Sequence, residues 1–196
     1  IANKIKQLEG SKTFIAGGEE SYGYLAGDFV RDKDAVISCA LLAETTAFAK
    51  ANGNSLFDQL IDIYMEHGFF KERLLSIVKH GKEGEEEIRK MMDQFRNNPP
   101  DSINGQDLML IHDYTKQNTM DLISQLRYKI NLPKANVLQF ILKDGSKISL
   151  RPSGTEPKIK FYFSVNDKLE KREDFEKVDK MLEERIDNII EALNIK

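Results

Sequence analysis

The stretch from Val137 to Val165, "VLQFILKDGSKISLRPSGTEPKIKFYFSV", constrains the fold of this chain more than any other. Asp144-Gly145 between two apolar runs marks a tight antiparallel hairpin, because a two-residue turn needs positive φ that Asp and Gly tolerate. Beyond it, Ile159, Phe161, Phe163 and Val165 alternate, which puts them on one face of a further strand and leaves Lys158, Lys160 and Tyr162 on the other. A sheet with one apolar face needs a cover. The C-terminal segment supplies it with a helical stripe of Phe175, Val178, Leu182, Ile186, Ile189 and Leu193. Residues 69 to 80 read as a strand, and "GEEEIRKMMDQF" as a helix with Ile88, Met91, Met92 and Phe95 on one face. "NNPPDSINGQD" reads as a loop and residues 108 to 114 as a strand. The expectation is an α+β domain whose mainly antiparallel sheet is covered by helices.

The first part of the chain has a different texture. Ile1 to Leu8 reads as the end of a helix and Thr13 to Ala16 as a short buried strand. "GGEESYGYLAGDFVRDKD" reads as a long glycine-bearing loop. Residues 34 to 52 are apolar almost all round, the mark of a buried helix, with Gly53 placed to stop it. Asn54 or Ser55 can cap a second helix carrying Leu56, Phe57, Leu60, Ile61 and Tyr64 at 3.6-residue spacing, and Gly68 ends it. The pattern predicts an α/β portion over residues 1–68 and the α+β domain over 69–196.

Composition narrows the chemistry. A net charge of −3 over 196 residues, with basic residues not interleaved with aromatics, argues against nucleic acid. No apolar run reaches the roughly 18 residues of a membrane span and the N-terminus lacks a signal-peptide pattern, so the cytoplasm is the expected location. With one cysteine, Cys39, and His67, His80 and His112 scattered, no metal-ligand spacing occurs. Glu85 to Glu87 read as the solvated start of a helix, so no bound metal is expected for this chain.

Three stretches carry chemistry. In "RPSGTEPKIK", Pro152 and Pro157 restrict the backbone while Ser153, Gly154 and Thr155 can turn their N–H groups into a concavity. Arg151 offers a planar fork for phosphate, and Lys160 adds a point charge on the same strand face as Lys158. The competing reading is a rigid strand connection with ordinary surface cations. In "GGEESYG", Glu19 or Glu20 can accept hydrogen bonds from neighbouring sugar hydroxyls with Ser21 as a third contact; the alternative is a solvated acidic turn. In "RDKD", Asp32 is a candidate helix cap that puts Lys33 in the first turn, where a bound phosphate would compensate the dipole. Pairing of an exposed Lys33 with its acidic neighbours is the other reading.

Taken together, "GGEESYGYLAGDFVRDKDAV" and "LRPSGTEPKIKFYF" resemble the C-terminal part of an α-D-phosphohexomutase of the phosphoglucomutase and phosphomannomutase family. The resemblance implies interconversion of sugar 1-phosphates and 6-phosphates through a bisphosphate, with phosphopentomutase and sugar-bisphosphate synthase as alternatives within it. It implies that residues 1–68 are the end of a third domain whose loop reads sugar hydroxyls. Residues 69–196 are then a fourth domain that binds the phosphate not being transferred. By position, Glu19 and Ser21 contact the sugar, Lys33 lies near a phosphate, and Arg151, Ser153, Gly154, Thr155 and Lys160 hold phosphate. The phosphoserine nucleophile and the Mg2+ loop are implied to lie in upstream domains of the same protein, so no catalytic residue is expected in this chain and it should be inactive alone. A free-standing phosphosugar-binding module is the alternative. Self-association through apolar surface left by missing sheet partners is also expected.

Overall fold

A computed structural model describes residues 1–19 and 23–195, Glu19 by its backbone only. The chain divides into two compact units, Ile1–Asp62 and Ile63–Lys196.

In the first unit, α1 (Ala2–Leu8) is followed by a hairpin of β1 (Ala16–Glu19) and β2 (Gly23–Ala26), then by α2 (Ala35–Ala51) and the first turns of α3 (Leu56–His67). The described part of the glycine-bearing stretch is therefore not all loop: Ala16–Glu19 pairs with Gly23–Ala26, with Gly18 opposite Tyr24. The pairing explains the glycine: a Cβ on Gly18 would sit 2.1 Å from Cδ1 of Tyr24. Tyr24 is then tied to α2, since its N–H donates to Ser38 Oγ (3.0 Å) and its carbonyl accepts from the Asp34 N–H (3.0 Å). Gly53 lies just past α2 at φ +73°, the left-handed stop its position implied. Ser55 caps α3, its hydroxyl accepting from the Asp58 N–H at 3.1 Å.

Helix α2 corrects one expectation. Only Ala49 is buried in it, while Val36, Leu42 and Phe48 stand exposed. A helix that is apolar on all sides needs cover on all sides, and within its unit α2 packs against β2 alone among the elements with substantial contact.

The second unit is an eight-stranded sheet, antiparallel throughout, in the order β3-β10-β9-β8-β5-β6-β7 with β4 paired to β5. Its strands are β3 (Phe69–Val78), β4 (Ser102–Ile103), β5 (Gln106–Asp113), β6 (Asn118–Asp121), β7 (Arg127–Lys129), β8 (Leu138–Leu142), β9 (Lys147–Pro152) and β10 (Lys158–Asp167). Helices α4 (Gly81–Asn97) and α5 (Phe175–Ala192) complete it. Register places Phe161 beside Leu150 and Phe163 beside Ile148 on the covered face, all buried. Leu182, Ile186 and Ile189 of α5 and Ile88 and Met92 of α4 are buried as well, and Phe95 meets Phe140 and Phe161 edge-on. The last turn of α3 belongs here too, with Tyr64 stacked on Phe69 and Phe69 on Phe175.

Two segments depart from the expected pattern. The loop after α4 holds β4 and a tight turn at Asn104-Gly105, both at positive φ. Strands β6 and β7 extend the sheet through a region with no strand periodicity. They are four and three residues long, and the intervening turns use Gln117 and Gln125 in left-handed conformations, which glutamine does not advertise.

Candidate anion site

The sheet's uncovered face carries the candidate site. On it Lys160 of β10 is opposite Arg151 of β9, and Tyr162 is opposite Ser149. Alternation puts Lys158 on the same face, while Ile159 and Phe161 point into the core. The five residues after β9 form a short closed loop. The Ser153 N–H donates to the Lys158 carbonyl (2.7 Å), and the Lys79 N–H to the Pro157 carbonyl (2.8 Å). Arg151, Pro152, Ser153, Gly154, Lys158, Lys160 and Tyr162 line a cavity of about 240 Å³.

Charge sets this cavity apart. Several other cations of the unit have acidic partners: Lys71 and Arg73 meet Asp179, Glu183 and Asp187 of α5, Arg96 meets Asp113, and Arg185 meets Asp167. Arg151 and Lys160 have none among the described residues, and Lys158 only reaches Glu156 at 3.9 Å. Two cations held in register on adjacent strands without a counter-ion form a site for an anion, and the guanidinium plane offers a bidentate contact.

The backbone contribution is narrower than the sequence implied. The Ser153 N–H is used in closing the loop, and the Thr155 N–H is directed at Ser153 Oγ at 3.4 Å. The Gly154 N–H has no acceptor among the described residues. Thr155 lines a separate cavity of about 120 Å³ behind the loop, with Glu85 and Ile88 of α4. Lys158 and Tyr162, absent from the expected site residues, belong to the cavity lining. The alternation of β10 was the signal that could have included them.

The sites expected in the first unit fare differently. Ser21 lies outside the described residues, as does the side chain of Glu19. Lys33 precedes α2 rather than lying in its first turn, because the cap is Asp34, whose carboxylate accepts from the N–H groups of Val36 (2.7 Å) and Ile37 (3.4 Å). The dipole argument for a phosphate beside Lys33 therefore falls. Its ammonium stands 3.5 Å from Asp32. A hydrogen bond from the Lys33 N–H, then that ammonium, hold the Asp32 carboxyl below the usual range. Among the described residues no group of three or more His, Cys, Asp or Glu could hold a metal ion, and no helix is long and apolar enough to cross a membrane.

Residues 1–65 match the model of the phosphoglucomutase/phosphomannomutase alpha/beta/alpha domain III. A phosphoglucomutase of Staphylococcus haemolyticus is 42% identical over 166 residues, covering 85% of this chain and 30% of that protein. The Staphylococcus aureus phosphoglucomutase is 41% identical over 165 residues, covering 84% and 30%. The chain belongs to the phosphoglucomutase/phosphomannomutase family. It spans about 30% of the length of the curated relatives it matches. The fold is also that of a member of known structure: pp63/parafusin, a phosphoglucomutase from Paramecium in its open form, superimposes with a TM-score of 0.54 at 16% identity over 90% of this chain and 29% of that one.

Proposed function

We propose that this chain is the sugar- and phosphate-binding portion of a cytoplasmic phosphohexomutase that interconverts sugar 1-phosphates and 6-phosphates through a bisphosphate. The observation that carries the reading is the in-register pair of Arg151 and Lys160 with no acidic partner, around a cavity open to a phosphate. In this reading Arg151 binds two phosphate oxygens, Lys160 and Lys158 neutralise the remaining charge, and Gly154 donates its N–H. Ser153 and Thr155 add hydroxyls at the margin of the loop. Glu19 and Ser21 contact the sugar from the first unit, and Lys33 lies near a substrate phosphate. The phosphoserine nucleophile and the magnesium ion belong to the rest of the complete enzyme. Among the described residues no acidic cluster could hold that metal. Phosphoryl transfer depends on positioning and charge stabilisation, and the chain contributes the positioning.

The test is titration of the 196-residue chain with inorganic phosphate, followed by backbone amide shifts. The Gly154 resonance should move at millimolar ligand. Arg151→Lys keeps the charge but loses the fork, so it should weaken binding by about 1–2 kcal/mol. An unresponsive Gly154, or unchanged affinity in Arg151→Lys, overturns the reading.

A further inference from the structure

The cavity at the cationic loop does not end at Tyr162. On the other side of that ring a second cavity, of about 340 Å³, continues along the uncovered face, bordered by Glu72, Leu74, Gln139, Lys147, Ser149 and Ser164. Tyr162 borders both. Two residues along a strand advance about 7 Å on one face, so the ring follows the Lys160 ammonium at roughly the span of one monosaccharide.

The lining of this second cavity has a particular chemistry. Its floor is apolar and flat: Tyr162 is opposite Leu74 across β3, and both are substantially exposed (38% and 50%). Glu72, Gln139, Lys147, Ser149 and Ser164 add polar groups to its lining. The Gln139 amide donates to Ser149 Oγ at 2.8 Å, which leaves the serine proton and the amide carbonyl for other partners. Glu72 and Lys147 flank Ser164 on either side, two strands apart, and neither has a charged partner among the described residues. A carboxylate that accepts, an ammonium that donates and two groups that do both, around an aromatic floor, suit a polyol ring, which presents C–H groups on its faces and hydroxyls at its edge.

We infer that this groove is a polyol subsite contiguous with the anion cradle, so that the second unit itself distinguishes a sugar phosphate from a bare phosphate, with Tyr162 as the platform for the ring. The inference rests on the anion reading of the cradle. The phosphate oxygens sit on Arg151 and Lys160, the sugar ring lies over Tyr162, and its hydroxyls meet Glu72, Gln139 and Ser149.

The experiment compares methyl phosphate with glucose 6-phosphate as ligands of the complete 196-residue chain, by calorimetry and amide shifts. Glucose 6-phosphate should bind about three- to tenfold more tightly, the range of one aromatic contact. Tyr162→Ala should abolish that preference, read as the ratio of the two affinities, while Tyr162→Phe keeps most of it. Gln139→Ala, remote from the cradle, should reduce the preference with the fold intact and serves if Tyr162→Ala proves unstable. Methyl phosphate binding with no preference for the sugar phosphate overturns the subsite and spares the cradle. So does a preference that survives Tyr162→Ala but disappears in Glu19→Gln. No response to methyl phosphate overturns both.

Discussion

Gly18 and Gly154 look alike in the sequence, each beside a hydroxyl-rich stretch, but the structure gives them opposite reasons to be glycine. At Gly18 the fold demands it, since Tyr24 crosses above. At Gly154 nothing does: φ is not left-handed, and an added Cβ would meet no atom within 4 Å. A glycine the fold does not need is free to serve close approach of a ligand. Gly154→Ala should therefore leave the thermal midpoint within about 1 °C while weakening phosphate several-fold, read by thermal melts beside calorimetry. That distinction was not legible in sequence, because it depends on which ring lies over which backbone. The same limit applied to Ser153 and Thr155, whose residue types announced an anion loop but whose N–H groups are directed within the loop. By contrast, the facing of Lys158, Lys160 and Tyr162 was readable from alternation alone.

Among the elements, α5 shows how the sheet holds its cover. Asp179, Glu183 and Asp187 recur at four-residue spacing and meet Lys71 and Arg73, two apart on the covered face of β3, at 2.5 to 3.0 Å. The hydrogen bond from Lys71, followed by those from Arg73 and working against partial burial, holds the Glu183 carboxyl below the usual glutamate range. A depressed carboxyl pKa stabilises the fold above the unfolded value and loses that contribution as pH falls through the folded one. Circular dichroism melts should therefore show stability declining from about pH 4.3 downward, and Glu183→Gln should flatten part of that slope. The effect should be small and shrink in high salt, since the Glu183 side chain is 40% exposed. Helix α5 and strands β8 to β10 were legible because period and the Asp144-Gly145 turn agree. The turn at Asn104-Gly105 carries an equally good hairpin signal, but its strand β4 is only two residues long and shows no periodicity. Strands β6 and β7 gave no such signal: they are recruited by pairing to β5, a tertiary effect that local propensity does not encode.

For the whole molecule, the first unit sets the behaviour in solution. Val36, Leu42 and Phe48 are 79%, 60% and 64% exposed on α2, and Phe57 adds to the apolar surface on α3. Exposed apolar surface of this kind favours association, so the 196-residue chain should self-associate. Light scattering should show mass rising with concentration, and Leu42→Lys with Phe48→Glu should restore a monomer; a wild-type chain that is monomeric throughout would refute this. The second unit carries a different tension. Lys160 and Arg151 stand side by side in the sheet with no counter-ion, and like charges directly opposite one another work against strand pairing. In the proposed reading a bound anion is then a missing piece of the sheet's own electrostatics. Phosphate esters would on that reading hold this domain in a more heat-resistant state than a chloride buffer does.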